Sequence, residues 1–319
     1  MRVYRFRHSR VNRSRRYTVV GQLRGVAALA VGSSVPDMAA ASSAWPTLPS
    51  YDAWADTCDT LHAHAQVLGK LAAALAPPEP GFRHLALRLT ARGWETRPLP
   101  APNCTGAFVV VLDLHTHHVL VEHSGGATRR IALMPDRAVG TVTRRVFAAV
   151  RELAGNAVQI DPTPQEVHWT VPLDKDEQHA TYDPHAVARY LRAATQAARV
   201  LAVFRAPHSS RSTPINAWWG SFDLAVSLFA GEGANERELA VGWWPGDPRH
   251  PRPAFYAFAR PAPDDFADAQ LEPSQARWDP QLGEFLLDHD AVAAAQDPHA
   301  AALAFARSAL VHAGVSPVS

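Results

Sequence analysis

The chain has 319 residues, 47% of them hydrophobic and 19% charged, which supplies apolar material for a full core and excludes a disordered chain. Its formal net charge is +1, yet eight arginines and no acid fall within residues 1–36, so the remainder carries 23 basic and 30 acidic side chains, a net of −7. An acidic body argues against nucleic acid as its partner. No apolar run approaches the ~18 residues of a membrane span, and two cysteines without metal-ligand spacing fit a reduced, cytoplasmic setting.

Residues 1–44 read as a basic tail, or as a start-site artefact with translation beginning at Met38. Ser14-Arg15-Arg16-Tyr17-Thr18 has the look of a twin-arginine export motif, but Arg24 interrupts the apolar stretch behind it. Folded structure is expected from Trp45-Pro46. Asp52 suits a helix N-cap, and Pro77-Pro78 a stop, which predicts a helix over 53–76. Its apolar stripe is Leu61, Ala65, Leu68, Ala72 and Leu75. A second stripe at the same three- and four-residue steps is polar: Asp59, His62, Gln66 and Lys70. A polar stripe is ordinarily a solvated face. Here it contains one of two lysines in a chain with 29 arginines. A lysine that survives such a composition points to a need for a compact ammonium.

Short strands are predicted at 84–90, 94–99, 107–114, 118–123 and 128–134. The Gly- and Asn-rich turns between them call for antiparallel hairpins. A helix over 137–154 follows, then a Pro- and Asp-rich surface connection over 160–182. Asp183-Pro184 opens a third helix, through 204. Further strands are predicted at 216–229, 239–244, 254–260 and 284–287, and a last helix at 290–313. The order of elements thus repeats, with halves at 45–182 and 183–319. The fold class is α+β: antiparallel sheets flanked by helices, two similar halves packed as one unit, which reads as an internal duplication.

No motif calls for a cofactor or a metal. Sixteen histidines include no His-Glu-x-x-His, and His115, His117 and His118 fall in a predicted solvated turn. Phosphate-loop and Gly-x-Ser-x-Gly patterns are missing. What remains is the aromatic run Asn216 to Phe229, with Asp223 between Phe222 and Leu224. A carboxylate in such a run must be paired to be buried. Read as one regular strand, the run puts Asn216, Trp218 and Gly220 on one face and Trp219, Ser221 and Asp223 on the other. Tyr256 lies in a second aromatic strand. Three readings stay open. One is a small-molecule-binding protein with a pocket walled by Trp218, Trp219 and Tyr256, with Asn216, His62, Gln66, Lys70 and Asp223 as polar contacts. Another is a hydrolase-like enzyme using His62 and Asp223 as acid–base groups and Lys70 to stabilise an anion. The third is an interaction module in which all of these side chains are structural.

Several segments carry a resemblance: Trp219-Gly220-Ser221-Phe222-Asp223-Leu224-Ala225, Gly242-Trp243-Trp244-Pro245-Gly246, Ala254-Phe255-Tyr256-Ala257 and Asp279 to Leu287, with Thr60-Leu61-His62, Gln66, Gly69-Lys70 and Tyr182-Asp183-Pro184 in the first half. Over about 45–312 the chain resembles a bacterial family classed only as a domain of unknown function, number 5996. The resemblance brings no reaction with it. The chain departs from the pattern at Asn216, where a histidine is expected, and at Glu236-Arg237-Glu238, where a Ser-His-Glu-like run is expected.

Overall fold

The structure, a computed structural model, describes residues 45–102, 105–155, 159–233 and 236–315. The expectations for residues 1–44, including the start at Met38, lie outside the described residues, as does Cys104. A 3₁₀ turn at Tyr51–Ala53 leads into α1 (Ala55–Leu75). Strands β1 (Arg88–Thr90), β2 (Gly93–Glu95), β3 (Leu99–Pro100), β4 (Ala107–Asp113), β5 (His118–His123) and β6 (Thr128–Ala132) follow, then α2 (Val139–Ala154). The second half begins with α3 (Pro184–Arg205). It continues through β7 (Asn216–Trp218), β8 (Asp223–Ala230), β9 (Arg237–Trp244), β10 (Ala254–Arg260), β11 (Arg277–Asp279) and β12 (Glu284–Asp288). It ends with α4 (His289–Ala293) and α5 (Pro298–His312).

The α+β class holds, and each half contributes one antiparallel sheet of six strands. The first runs β1-β2-β4-β5-β6, with β3 also on β4. The second runs β11-β12-β10-β9-β8-β7. Short turns make most neighbours consecutive, as hairpins require; the exceptions are β3, which adds to β4 beside β2, and β11, which pairs outside β12 after a longer connection from β10. The sheets touch edge to edge. Leu87, just ahead of β1, exchanges two main-chain hydrogen bonds of 3.0 Å with Ala217 of β7. α1 and α2 cover the first sheet, α3 and α5 the second, and α1 packs on α3. One apolar core runs through both halves, from Phe108, Val110 and Leu112 on β4 to Val226, Val241, Phe255 and Leu287 in the second sheet.

Three local departures have physical causes. Asp52 lies inside the 3₁₀ turn, and Trp54, with no capping side chain, precedes α1 instead. The predicted last helix breaks into α4 and α5 at Asp297-Pro298. There the Asp297 carboxylate accepts from Ala300 N–H, the same start signal that Asp183 gives α3 through His185 N–H. The run 216–229 is a hairpin and not one strand: Trp219 to Phe222 form its turn, and Trp218 pairs directly with Asp223. Directly opposed residues share a face, so Asp223 joins Trp218 and is separated from Trp219.

Phe222 closes that turn with φ of +58°, a left-handed conformation that costs an L-residue about 1–2 kcal/mol. Its ring stacks on Trp94 at 5.0 Å, Tyr190 at 5.1 Å and His62 at 4.8 Å. Each such pair contributes about 0.5–1.5 kcal/mol beyond burial, so together the contacts outweigh the strain. The turn is therefore pinned by rings from both halves.

Candidate functional site

The hairpin splits the candidate residues into two groups. The first lies along α1. Gln66 is 0% exposed and Lys70 4%, so the polar row is enclosed, and what encloses it is the connection after α2. That connection has no helix or strand among its described residues through Asp183. It crosses α1 residue by residue. Lys70 Nζ lies 3.6 Å from Asp161, and the Gln66 amide donates to Gln165 O at 2.6 Å while accepting from Gln165 N–H at 2.8 Å. The His62 ring meets Trp169 edge-on at 5.5 Å, and His168 stands 3.9 Å from Asp59, which also accepts from the Tyr51 hydroxyl.

On its other side the same row faces the hairpin turn. His62 Nε2 lies 2.9 Å from Trp219 O and 3.1 Å from Gly220 O. Both carbonyls are acceptors and lie closer than the Gln66 amide nitrogen at 3.5 Å, so this nitrogen carries the proton. Burial pushes the ring's pKa down to about 4, leaving it neutral at ordinary pH. Lys70 Nζ sits 5.6 Å from the centre of the Trp219 ring, and Trp219 Nε1–H donates to Leu85 O at 3.1 Å.

The second group occupies the outer face of the second sheet, opposite the core. Cross-strand register aligns Trp218, Asp223, Trp244, Ala254 and Asp288 in one row, and Asn216, Ala225, Gly242, Tyr256 and Leu286 in the next. Ala225, Trp244, Ala254, Tyr256 and Leu286 form an apolar cluster separate from the main core, flanked by Trp218, Phe258 and Leu282. Tyr256 lies over Gly242, where an added Cβ would come 2.4 Å from the phenol ring. That gap lets the Tyr256 hydroxyl reach across two strands and donate to Asp223 Oδ2, while Ser221 donates to Oδ1.

Asp223 is 4% exposed. Burial pushes its pKa up to about 6, against the two hydroxyl donors, and the Glu166 charge adds to the rise. Glu284, at the start of β12 on the same face, is pushed up to about 7 by burial and by Asp223. Arg249 is held by Asp247 and feels the charges of Glu284 and Glu166. Glu166 reaches this group past Gly220, where an added Cβ would lie 2.9 Å from its carboxylate carbon. Asp288 contrasts with its neighbours. Burial pushes it upward, but hydrogen bonds from Arg277 at 3.1 Å, with His250, hold its carboxyl below the usual range.

Tyr256→Phe is expected to leave the ionised Asp223 short of a donor. The loss is expected to be about 1–3 kcal/mol of stability at pH 8 and little at pH 4, where the carboxyl is protonated, as read by urea unfolding at both pH values.

Sequence reading found Asp223 and Tyr256 but placed them with His62, Gln66 and Lys70. It missed Glu284, Glu166 and Arg249. Alternation along Glu284-Phe285-Leu286-Leu287-Asp288 puts both acids opposite Phe285 and Leu287, a signal that was there to read. Glu166 carried none. Among the described residues no three His, Cys, Asp or Glu side chains converge as metal ligands, and no helix is long and apolar enough to cross a membrane. His115, His117 and His118 each bond locally, to Ala91 O, the Tyr182 hydroxyl and Thr116 O. A cleft of about 240 Å³ lies elsewhere, at the N-termini of α1 and α3, lined by Asp52, Trp54, Asp56, Asp183 and Arg189 among others.

These features define an α+β protein of two joined antiparallel sheets, with a covered polar row on one side of its central hairpin and an acid-bearing aromatic face on the other. Residues 45–315 match the model of the family of unknown function DUF5996, and the chain belongs to that family. No curated protein and no solved structure matches it.

Proposed function

We propose that the protein binds a small molecule on the outer face of its second sheet. Trp218 and Tyr256 form its aromatic wall, with Asp223 and Glu284 as polar contacts and Asn216 in the adjoining row. One contrast carries this reading. The outer face of the first sheet carries Val111 and Leu120 beneath a lattice of ion pairs, Arg88–Glu95, Arg92–Glu95 and Arg92–Glu122, and no aromatic cluster among the described residues. The equivalent face of the second sheet holds four aromatic rings and three carboxyls, of which Asp288 is paired with Arg252 and Arg277, while Asp223 and Glu284 are pushed upward by burial with no arginine or lysine among the described residues bonded to them. Aromatic surface with a few placed polar groups is the composition of a ligand site.

The test is a thermal-shift screen of metabolite amines, sugars and carboxylates against wild type and Trp218→Ala. A ligand at a hundredfold its Kd adds about 2.7 kcal/mol. Hits present in wild type and lost in W218A are expected. Hits that shift both proteins equally would remove this face as the site.

A second reading, hydrolase-like, is favoured by the neighbouring carboxyls of Asp223, pushed up to about 6, and Glu284, pushed up to about 7, so that near neutrality Asp223 is the ionised partner and Glu284 the one that holds the proton, as an acid–base pair requires. In that reading Glu284 takes the part first given to His62, whose Nε2–H is committed to two carbonyls. Lys70, paired with Asp161, stabilises an anion only once that partner leaves. We also place the protein in a bacterial cytoplasm, a reading supported by the family resemblance and by the buried free thiol of Cys58.

A further inference from the structure

The row on α1 and the segment over it differ sharply in burial. Gln66 is 0% exposed and Lys70 4%, whereas Asp161, the partner of Lys70, is 69% exposed. Thr163, Gln165, Glu166 and His168 are exposed as well. Residues 160–168 thus form a thin cover over buried polar groups. Its ties to α1 are the Lys70–Asp161 ion pair, the two Gln66–Gln165 hydrogen bonds and the His168–Asp59 contact at 3.9 Å, and its Ile160 and Val167 side chains pack against the core. One main-chain bond from Leu173 N–H to Pro162 O holds it to the buried part of the connection.

The chemistry of those ties is that of peptide recognition. The Gln66 amide reads both main-chain groups of a single residue, as a neighbouring strand would, and is indifferent to that residue's side chain. Lys70 takes a carboxylate four positions earlier. Pro162 and Pro164 fix their own φ and hold Asp161 and Thr163 extended. Residues 160–165 of the covering segment therefore have the form of a pre-extended acidic peptide lying on the surface of Gln66 and Lys70, beside the Trp219 ring, and the chain turns away at Glu166, whose φ is +59°.

We propose that this surface is a binding site for an extended acidic peptide, and that residues 160–168 are its displaceable resident occupant. A tethered occupant acts at an effective concentration on the order of millimolar. Wild type therefore takes up little free peptide at micromolar concentration, and weakening the tether opens the site.

The experiment uses the full chain and a labelled peptide copying Gln159–Trp169. Asp161→Asn is expected to raise hydrogen exchange at the Gln165 amide at least tenfold, with β4 and β8 unchanged. The same variant is expected to bind the peptide, measured by fluorescence anisotropy, where wild type does not. A peptide with asparagine in place of its aspartate is expected to bind at least tenfold more weakly, a comparison that needs no further variant to fold. Lys70→Met added to Asp161→Asn is expected to lose the same factor. Exchange at Gln165 that rises only together with β4 and β8, no binding by D161N, or equal binding of the two peptides would each overturn the proposal.

Discussion

Asp223→Asn is expected to stabilise the protein at pH 8 by about 2–3 kcal/mol, with the gain vanishing by pH 4. The carboxyl has its ordinary pKa of 3.8 when unfolded and about 6 when folded. Between those values the unfolded chain ionises while the folded one keeps its proton. Stability is therefore lost as pH rises from about 4 to 6 and stays lost above it. Two pKa units correspond to about 3 kcal/mol at most. Asparagine keeps the shape, accepts from Tyr256 or Ser221 and never ionises, so it removes that loss. Glu284 acts in the same direction up to about pH 7. His62 and His64, both pushed down to about 4 by burial, act in the opposite direction, losing stability as pH falls below about 6.5. The difference between wild type and D223N isolates one carboxyl from all of these. Urea unfolding across pH 4–8 checks it. A variant less stable than wild type at pH 8 would mean that the Tyr256 and Ser221 hydroxyls offset the burial of the ionised carboxylate, so that its pKa is not raised.

Gly69→Ala is expected to destabilise by about 3 kcal/mol or more, although alanine in a helix interior is normally worth about 1 kcal/mol over glycine. The added Cβ would lie 2.0 Å from Trp219 Cδ2 and 2.1 Å from Cγ. A rigid ring held by its Nε1–H bond to Leu85 cannot rotate aside, and overpacking of this kind costs about 1–3 kcal/mol before any hydrogen bond is broken. Moving the ring also pulls Trp219 O from His62 and the indole from Lys70. Pairing the change with Trp219→Leu is expected to recover at least half of the loss, giving a coupling energy of about 1.5 kcal/mol or more in a double-mutant cycle. Strictly additive losses would mean that the helix and the ring do not constrain each other.

Much of the architecture was legible because it rests on local chemistry. Asp183-Pro184 announced α3, and glycine-rich turns announced the hairpins. The identical Asp297-Pro298 signal inside a long alanine-rich run was passed over, so one helix was expected where two exist. Trp219 to Phe222 escaped for a different reason. Phenylalanine at positive φ has no local signature, and it is stabilised here by Trp94 and Tyr190, which are distant in sequence. That one turn decided which side Asp223 faces, and with it the split of the candidate residues. The inward polar row on α1 was read, but its partners Asp161 and Gln165 were not, since a coil segment carries no periodicity to place it.

The edge contact between Leu87 and Ala217 has a consequence for assembly. The join has two parts: Leu87, the residue before β1, exchanges main-chain bonds with Ala217 of β7, and the first helices of the two halves pack on each other. Such a join is self-complementary, like the isologous interface of a symmetric homodimer. Residues 45–182 expressed alone would bare one strand edge and one helix flank, and a second copy of the same fragment offers the matching pair.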